Sequence, residues 1–372
     1  MAISALGDRT ADVCFVFASP RHDLAKVIAV VQQQLPNVLI AAATSAGEIT
    51  DRGLTRRGLA LLLMSAPESR CLLTEARRLG KDAKQTLDDI CATPGAQSAE
   101  NRARGRRHAA CVLLGDGLSP VFEQLVVQIR KHLPEDHVVV GAGAADEGNL
   151  VRTVVASGGG VAEGGVLAVH FWSPLPWGVG LAHGLASTSH RMTVTKATGN
   201  VVHQLDGRSA MEAYRSYAAE QGIDLESTPT GQFLVENELG VLLFDQIVRV
   251  RAGLRALDDG AVFFAGEVPE GAQVCIVRGN PDGILEAARE AAEQAKAGLG
   301  GKPAAGLLVF SCVCRGMTLG DQYEREVAVI RDVFPGVPFA GFSSYGEIAR
   351  DPGRLDGYHN NTIVIVAIPA GS

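Results

Sequence analysis

The chain has 372 residues and a net charge of −7, so it lacks the cationic excess that displaces counterions from phosphates, and nucleic acid is excluded as an expected partner. Apolar residues make up 47% and charged residues 20%, which excludes a mainly disordered chain, and no apolar run reaches the ~20 residues that span a bilayer. The first twelve residues lack a secretory leader, and the seven cysteines, scattered singly except for Cys312 and Cys314, read as reduced thiols of a cytoplasmic protein.

At roughly 100–200 residues per domain, the length suits two or three domains. The first predicted unit opens with a strand over Ala11–Phe17. An amphipathic helix follows from Asp23 to Leu35, Pro36 stops it, and a buried strand over Val38–Ala43 leads into Thr44-Ser-Ala-Gly-Glu-Ile49. A further strand covers Gly58–Met64. Gly95–Arg107, rich in Ala, Gly and Arg, is predicted to be a solvated loop. A worn second copy then runs through a strand (His108–Leu114), a helix (Val121–Leu133), Pro134 and a strand (His137–Gly141). It closes in Gly143-Ala-Ala-Asp-Glu147, which keeps an acid but loses the Ser-x-Gly-Glu pattern.

Residues 191–275 read as a more β-rich block, with strands at Met192–Thr198, Val241–Phe244, Ile247–Arg251 and Ala261–Ala265 and one helix over Arg208–Glu220. An amphipathic helix over Ile284–Gly298 ends at glycine. The last copy is the fullest. A strand (Ala304–Phe310), a helix (Tyr323–Phe334), Pro335 and a second strand (Val337–Phe342) close in Ser343-Ser-Tyr-Gly-Glu-Ile348, and Asn361–Ile368 is one more strand. Repeated strand–helix–strand units of this length predict an α/β fold of mainly parallel sheets with right-handed crossovers, interrupted by the β-rich middle block. A domain boundary is placed near 190, giving 1–190 and 191–372.

The standard catalytic signatures are missing. Gly298–Pro303 lacks the spacing and the Ser/Thr of a phosphate loop, and Gly141–Asp146 lacks the third glycine of a dinucleotide fingerprint. Ala43-Thr-Ser-Ala-Gly47 is like a nucleophile elbow after a strand. The competing reading is that Ser45 and Ser344 hydrogen-bond their own turns while the glycines take positive φ. Glu48 and Glu347 either accept the turn's N–H groups or hold a ligand amine. In open parallel sheets ligands sit beyond the carboxyl ends of strands, so the loops Ala18–His22, Gly115–Ser119 (with Asp116) and Ser311–Gly316 (with Cys312 and Arg315) are the candidate site. Cys312 and Cys314 alone do not make a metal site, no His-x₃-His pair exists among nine histidines, and no metal is expected. His183, beside Gly184, is a candidate axial ligand for a planar cofactor or an ordinary hydrogen-bonded residue. No catalytic residue is assigned, although a hydrolase or transferase using Ser45 or Cys312 is the competing class.

Together these residues carry a resemblance. Ala11–Pro20 with Thr44–Ile49 resembles the N-terminal FIST domain of bacterial signal-transduction proteins. Val194–Asn200, Leu205–Gly207, Ala210, Tyr214, Phe264–Gly271, Phe310–Gly316, Glu326 and Gly341–Ile348 resemble the C-terminal FIST domain. The resemblance covers nearly the whole chain. It implies an intracellular sensory protein of stand-alone shape that binds a small molecule such as an amino acid and signals through a partner, a histidine kinase or a cyclic-di-GMP enzyme. It also implies a variant role as a haem-binding nitric-oxide sensor, with His183 the candidate ligand. The ligand-binding candidates are Ser45, Glu48, Asp116, Cys312, Arg315, Ser344 and Glu347.

Overall fold

In the computed structural model, residues 6–79, 83–129, 131–135, 137–350 and 357–371 are described. Each of the three units builds a strand, a helix and a parallel second strand, and local chemistry sets the boundaries. In the first unit the strand Val13–Ala18 is apolar throughout, and Asp23 accepts from the N–H groups of Ala25 (3.1 Å) and Lys26 (3.3 Å) to start the helix Leu24–Gln34. Pro36 cannot continue that helix, and the chain enters Leu39–Thr44 in parallel register, Val13 opposite Leu39. The second unit pairs His108–Asp116 with His137–Ala144, and the third pairs Ala304–Cys312 with Phe339–Ser344.

The expectation of mainly parallel sheets is wrong. Those three pairs are parallel, and every other strand pairing among the described residues is antiparallel. Two events after each unit cause this. An antiparallel strand returns against the first one: Leu59–Met64, Val166–Ser173 and Ile363–Pro369. The closing turn also sends a hairpin to a different sheet. Glu48–Thr50 with Gly53–Thr55 joins the third unit beside Phe339–Ser344. Glu347–Arg350 with Gly357–His359 joins the second beside His137–Ala144, and Val154–Ser157 with Gly160–Glu163 joins the first beside Leu39–Thr44. The exchange is cyclic, so no unit has a complete sheet without another.

The inner faces of the three sheets share one core, in which Phe17 stacks on Phe342 (4.8 Å between centroids) and meets Phe310 edge-on (6.2 Å). Each such ring contributes about 1.5–3 kcal/mol through burial, and here it links two units at once. Helices cover the outer faces. One of them, Ala83–Ala103, occupies most of the predicted loop 95–107 and carries Pro94 inside it. Its Leu87, Ile90 and Cys91 pack on the second sheet, and that burial outweighs the hydrogen bond lost at proline.

The middle block is an antiparallel sheet of nine strands between Leu185 and Gly279, backed by the helices Ala210–Glu220 and Thr230–Glu236. Ser209 and Glu212 form a capping box at the first of these helices. The sheet is tied to the second unit by Arg251. Its buried guanidinium donates to Glu123 (2.7 Å) and to the carbonyls of Tyr358 (3.0 Å) and Glu267 (2.9 Å).

Candidate functional site

The Ser-x-Gly-Glu turns meet where the three sheets converge. Ala46 N–H donates to Ser343 O (2.9 Å) and Ser343 N–H to Gly47 O (2.8 Å). Tyr345 N–H donates to Gly143 O (3.0 Å), and Ala145 N–H closes the ring on Thr44 O (2.9 Å). Within each turn the acid is engaged internally. Ser45 Oγ donates to Glu48 Oε1, whose other oxygen accepts from Gly58 N–H (2.8 Å) and Thr55 Oγ1 (3.2 Å). Ser344 Oγ donates to Glu347 Oε1 (2.7 Å), and Glu347 Oε2 accepts from Thr362 Oγ1 (2.8 Å). Both acids and both serines are fully buried. Burial, reinforced by nearby Cys312, pushes the Glu347 carboxyl well above the usual range. Gly346 has φ +85° and a Cβ there would strike the Tyr358 hydroxyl at 2.1 Å, so the turn requires glycine. Replacing Glu48 by Ala strands Ser45 Oγ and Gly58 N–H. A loss of about 1–3 kcal/mol in urea unfolding is expected, with Glu48→Gln keeping most of the stability.

The worn copy has its own polar work. Burial alone would raise the Asp146 carboxyl, but the Tyr345 hydroxyl (2.6 Å) and the N–H groups of Leu150, Val151 and Arg152 hold it below the usual range. Glu147 accepts from Ser19 Oγ (2.6 Å) and Arg21 Nε (3.3 Å). Beside them, at the carboxyl ends of Val13–Ala18 and Leu39–Thr44, lies an open cleft of about 700 Å³ lined by Arg21, His22, Asp23, Thr44, Asp146 and Arg152 among others. Asp116 accepts from Thr153 Oγ1 and Leu118 N–H, tying its loop to the neighbouring hairpin.

The third unit's loop is different in kind. Arg315 is fully buried and donates through Nε to Glu326 Oε1 (2.9 Å), through Nη1 to His183 O (2.9 Å) and through Nη2 to Ile284 O (2.8 Å). Ser311 Oγ donates to the second Glu326 oxygen (2.7 Å). The network fixes the end of Ala304–Cys312 and the short helix Val313–Leu319 that follows. Cys312 stands at that junction. The Cys314 thiol, and after it the backbone N–H groups of Cys314, Asn361 and Gly346, face its sulfur and pull its pKa down against the effect of burial.

Two groups near this sulfur, Glu238 and Asn361, are not singled out by the sequence. Glu238, fully buried on Glu238–Leu243 of the nine-stranded sheet, has no hydrogen-bond partner for either carboxylate oxygen. Asn361 and Cys314 face it from outside hydrogen-bonding geometry, and burial pushes it well above the carboxylate range. His359 Nε2, Asn360 Oδ1 and Asn361 Oδ1 are likewise buried and unpartnered. Burial depresses His359 to about 3, so its ring is neutral. Glu238 and Asn361 come from positions far apart in the chain and face each other only because the nine-stranded sheet packs against the third unit. The asparagine pair ahead of the last strand is the one local signal.

His183 accepts from Leu185 N–H at Nδ1 (2.9 Å), and its other nitrogen bonds the Ile247 carbonyl. In this conformation it offers no free nitrogen to an iron, so these residues do not fit a haem ligand. Among the described residues, no group of three or more His, Cys, Asp or Glu is placed to hold a metal ion, and no helix is long and apolar enough to cross a membrane.

The FIST N domain matches residues 12–208 and the FIST C domain residues 210–350. An uncharacterized protein of Mycobacterium tuberculosis is 31% identical over 171 residues, 43% of each chain. One of Mycobacterium bovis is 26% identical over 184 residues, 47% of this chain and 46% of its own. The chain spans less than half the length of these curated relatives. With both domain matches in order over residues 12–350, the chain belongs to the FIST family, whose domains are associated with signal transduction and ligand sensing.

Proposed function

We propose that this chain is an intracellular sensory protein that binds a small amine-bearing ligand, such as an amino acid, beside Cys312 and signals through a partner protein. The observation that carries the reading is the set of buried, unpartnered polar atoms on Glu238, His359, Asn360 and Asn361. Buried polar groups in a folded protein nearly always have partners, and orphans on Glu238 and on the consecutive residues His359, Asn360 and Asn361 call for a ligand or ordered water. Asn360 Oδ1, Asn361 Oδ1 and the carbonyl oxygen of the Glu238 carboxyl accept hydrogen bonds, so the complementary molecule carries N–H donors.

The same geometry supplies a route for the signal. His359 ends the hairpin Glu347–Arg350 with Gly357–His359, which is built into the second unit's sheet, and Asn360 and Asn361 follow it directly. A ligand that draws these side chains together acts on a strand pair shared between the two halves of the chain, 1–190 and 191–372. A histidine kinase or a cyclic-di-GMP enzyme is the class of partner that the family suggests.

The test is a thermal-shift screen of the purified chain against the twenty amino acids and simple alkylamines. A ligand at a hundred times its Kd stabilises the folded state by about 2.7 kcal/mol, so at least one compound is expected to raise the melting temperature. A flat response across the whole panel would sink the reading. Haem supplied during expression should give no Soret band that depends on His183.

A further inference from the structure

We infer that Cys312 and Cys314 are a redox pair that reduces hydrogen peroxide, with Glu238 as the proton donor. The groups that this chemistry needs lie together here. Cys312 Sγ is faced by the Cys314 thiol and by backbone N–H groups from three separate places in the chain, Cys314, Asn361 and Gly346, an arrangement that favours a thiolate. Glu238 is a buried acid with both oxygens unpartnered, and it faces Cys314. Cys312 and Cys314 pack together in one small buried cluster, 3% and 7% exposed, at the start of the short helix Val313–Leu319.

The chemistry balances with those groups. The Cys312 thiolate attacks one peroxide oxygen, the O–O bond breaks, and the sulfur becomes a sulfenic acid, oxidised by two electrons. The departing hydroxide takes the Glu238 proton and leaves as water. The Cys314 sulfur then attacks the Cys312 sulfur, the S–O bond breaks, and the thiol hydrogen departs with the hydroxyl as a second water. The products are a Cys312–Cys314 disulfide, two waters and a Glu238 carboxylate that recovers its proton from solvent. The remaining cysteines provide an internal contrast: burial pushes Cys14, Cys71 and Cys91 up to about 12 and raises Cys111 and Cys275 as well, so they stay as unreactive thiols.

The inference shares Glu238 and the surroundings of Cys312 with the ligand reading but does not need an amine to bind. The experiment treats the full chain with hydrogen peroxide, quenches with an alkylating agent and reads each cysteine by peptide mass spectrometry. The expected result is loss of two hydrogens confined to the Cys312–Cys314 peptide, reversed by dithiothreitol. Cys314→Ser should stop at a Cys312 sulfenic acid trapped by dimedone, and Glu238→Gln should slow the reaction about tenfold or more. Oxidation of Cys312 no faster than that of Cys14 or Cys111 in the wild-type chain would overturn the inference, as would a Cys314→Ser chain that traps no dimedone. A peroxide-inert protein that still shifts with an amine defeats this inference alone, and a peroxide-reactive one that no amine shifts defeats the ligand reading alone.

Discussion

Arg315→Ala is expected to destabilise the fold by about 3–5 kcal/mol, the cost of breaking a buried ion pair from one side. Arg315 and Glu326 are 0% and 1% exposed, and the substitution leaves the Glu326 carboxylate buried with Ser311 at 2.7 Å and Tyr323 nearby. It also strips donors from the carbonyls of His183 and Ile284. Arg315→Lys should recover little, since one ammonium cannot reproduce a fork that reaches a carboxylate and two carbonyls at once. The control is Arg315→Met with Glu326→Leu. Replacing both charges by apolar groups of similar volume is often neutral, so the double variant should be clearly more stable than Arg315→Ala in urea unfolding. Equal losses in the two would show that the ion pair is not what the site depends on.

Gly180→Ala is expected to cost at least about 3 kcal/mol, at the upper end of overpacking effects. Strand Gly178–Ala182 lies directly under helix Pro281–Gly298, whose inner face is Ala287, Ala288, Ala291, Ala292 and Ala295. A Cβ on Gly180 would sit 1.8 Å from the Ala291 carbonyl oxygen, and one on Gly178 would sit 1.8 Å from that of Ala295. The obstacle is helix backbone, so no rotamer change relieves it and the helix must lift off the sheet. Gly199→Ala makes the comparison: it has φ +59° but nothing within 4 Å, so it should lose only the smaller cost of a left-handed residue, about 1 kcal/mol. A Gly180→Ala chain as stable as wild type in urea would show that the helix is not seated on glycine.

Much of this architecture is legible in the sequence, because its signals are local. Asp23 as a cap, Pro36 as a stop and the apolar strands on either side follow from short-range chemistry, and the unit recurs. Strand direction is not legible. The period of Leu59–Met64 or Ile363–Pro369 says that a strand is buried, not which way it runs, and nothing within Glu48–Thr50 shows that its partner is Phe339–Ser344, nearly three hundred residues on. Gly95–Arg107 reads as a loop by its Ala, Gly and Arg content, yet the apolar face of Leu87, Ile90 and Cys91 carries the helix through most of it. For the site, the strand end at Ser311–Cys312 can be read from the pattern. Glu238 cannot, since it reads as the first residue of an ordinary strand and becomes unusual only when the sheet packs it, unpartnered, against Asn361 and Cys314.

The most direct measurement is isothermal titration of the wild-type chain and of Asn361→Ala with whichever amino acid or amine shifts the melting temperature most. Saturable one-to-one binding to the wild type, lost in Asn361→Ala while that variant still unfolds cooperatively, is the expected result. Undiminished binding to Asn361→Ala would contradict it, and the ligand site would then lie away from Glu238, His359, Asn360 and Asn361.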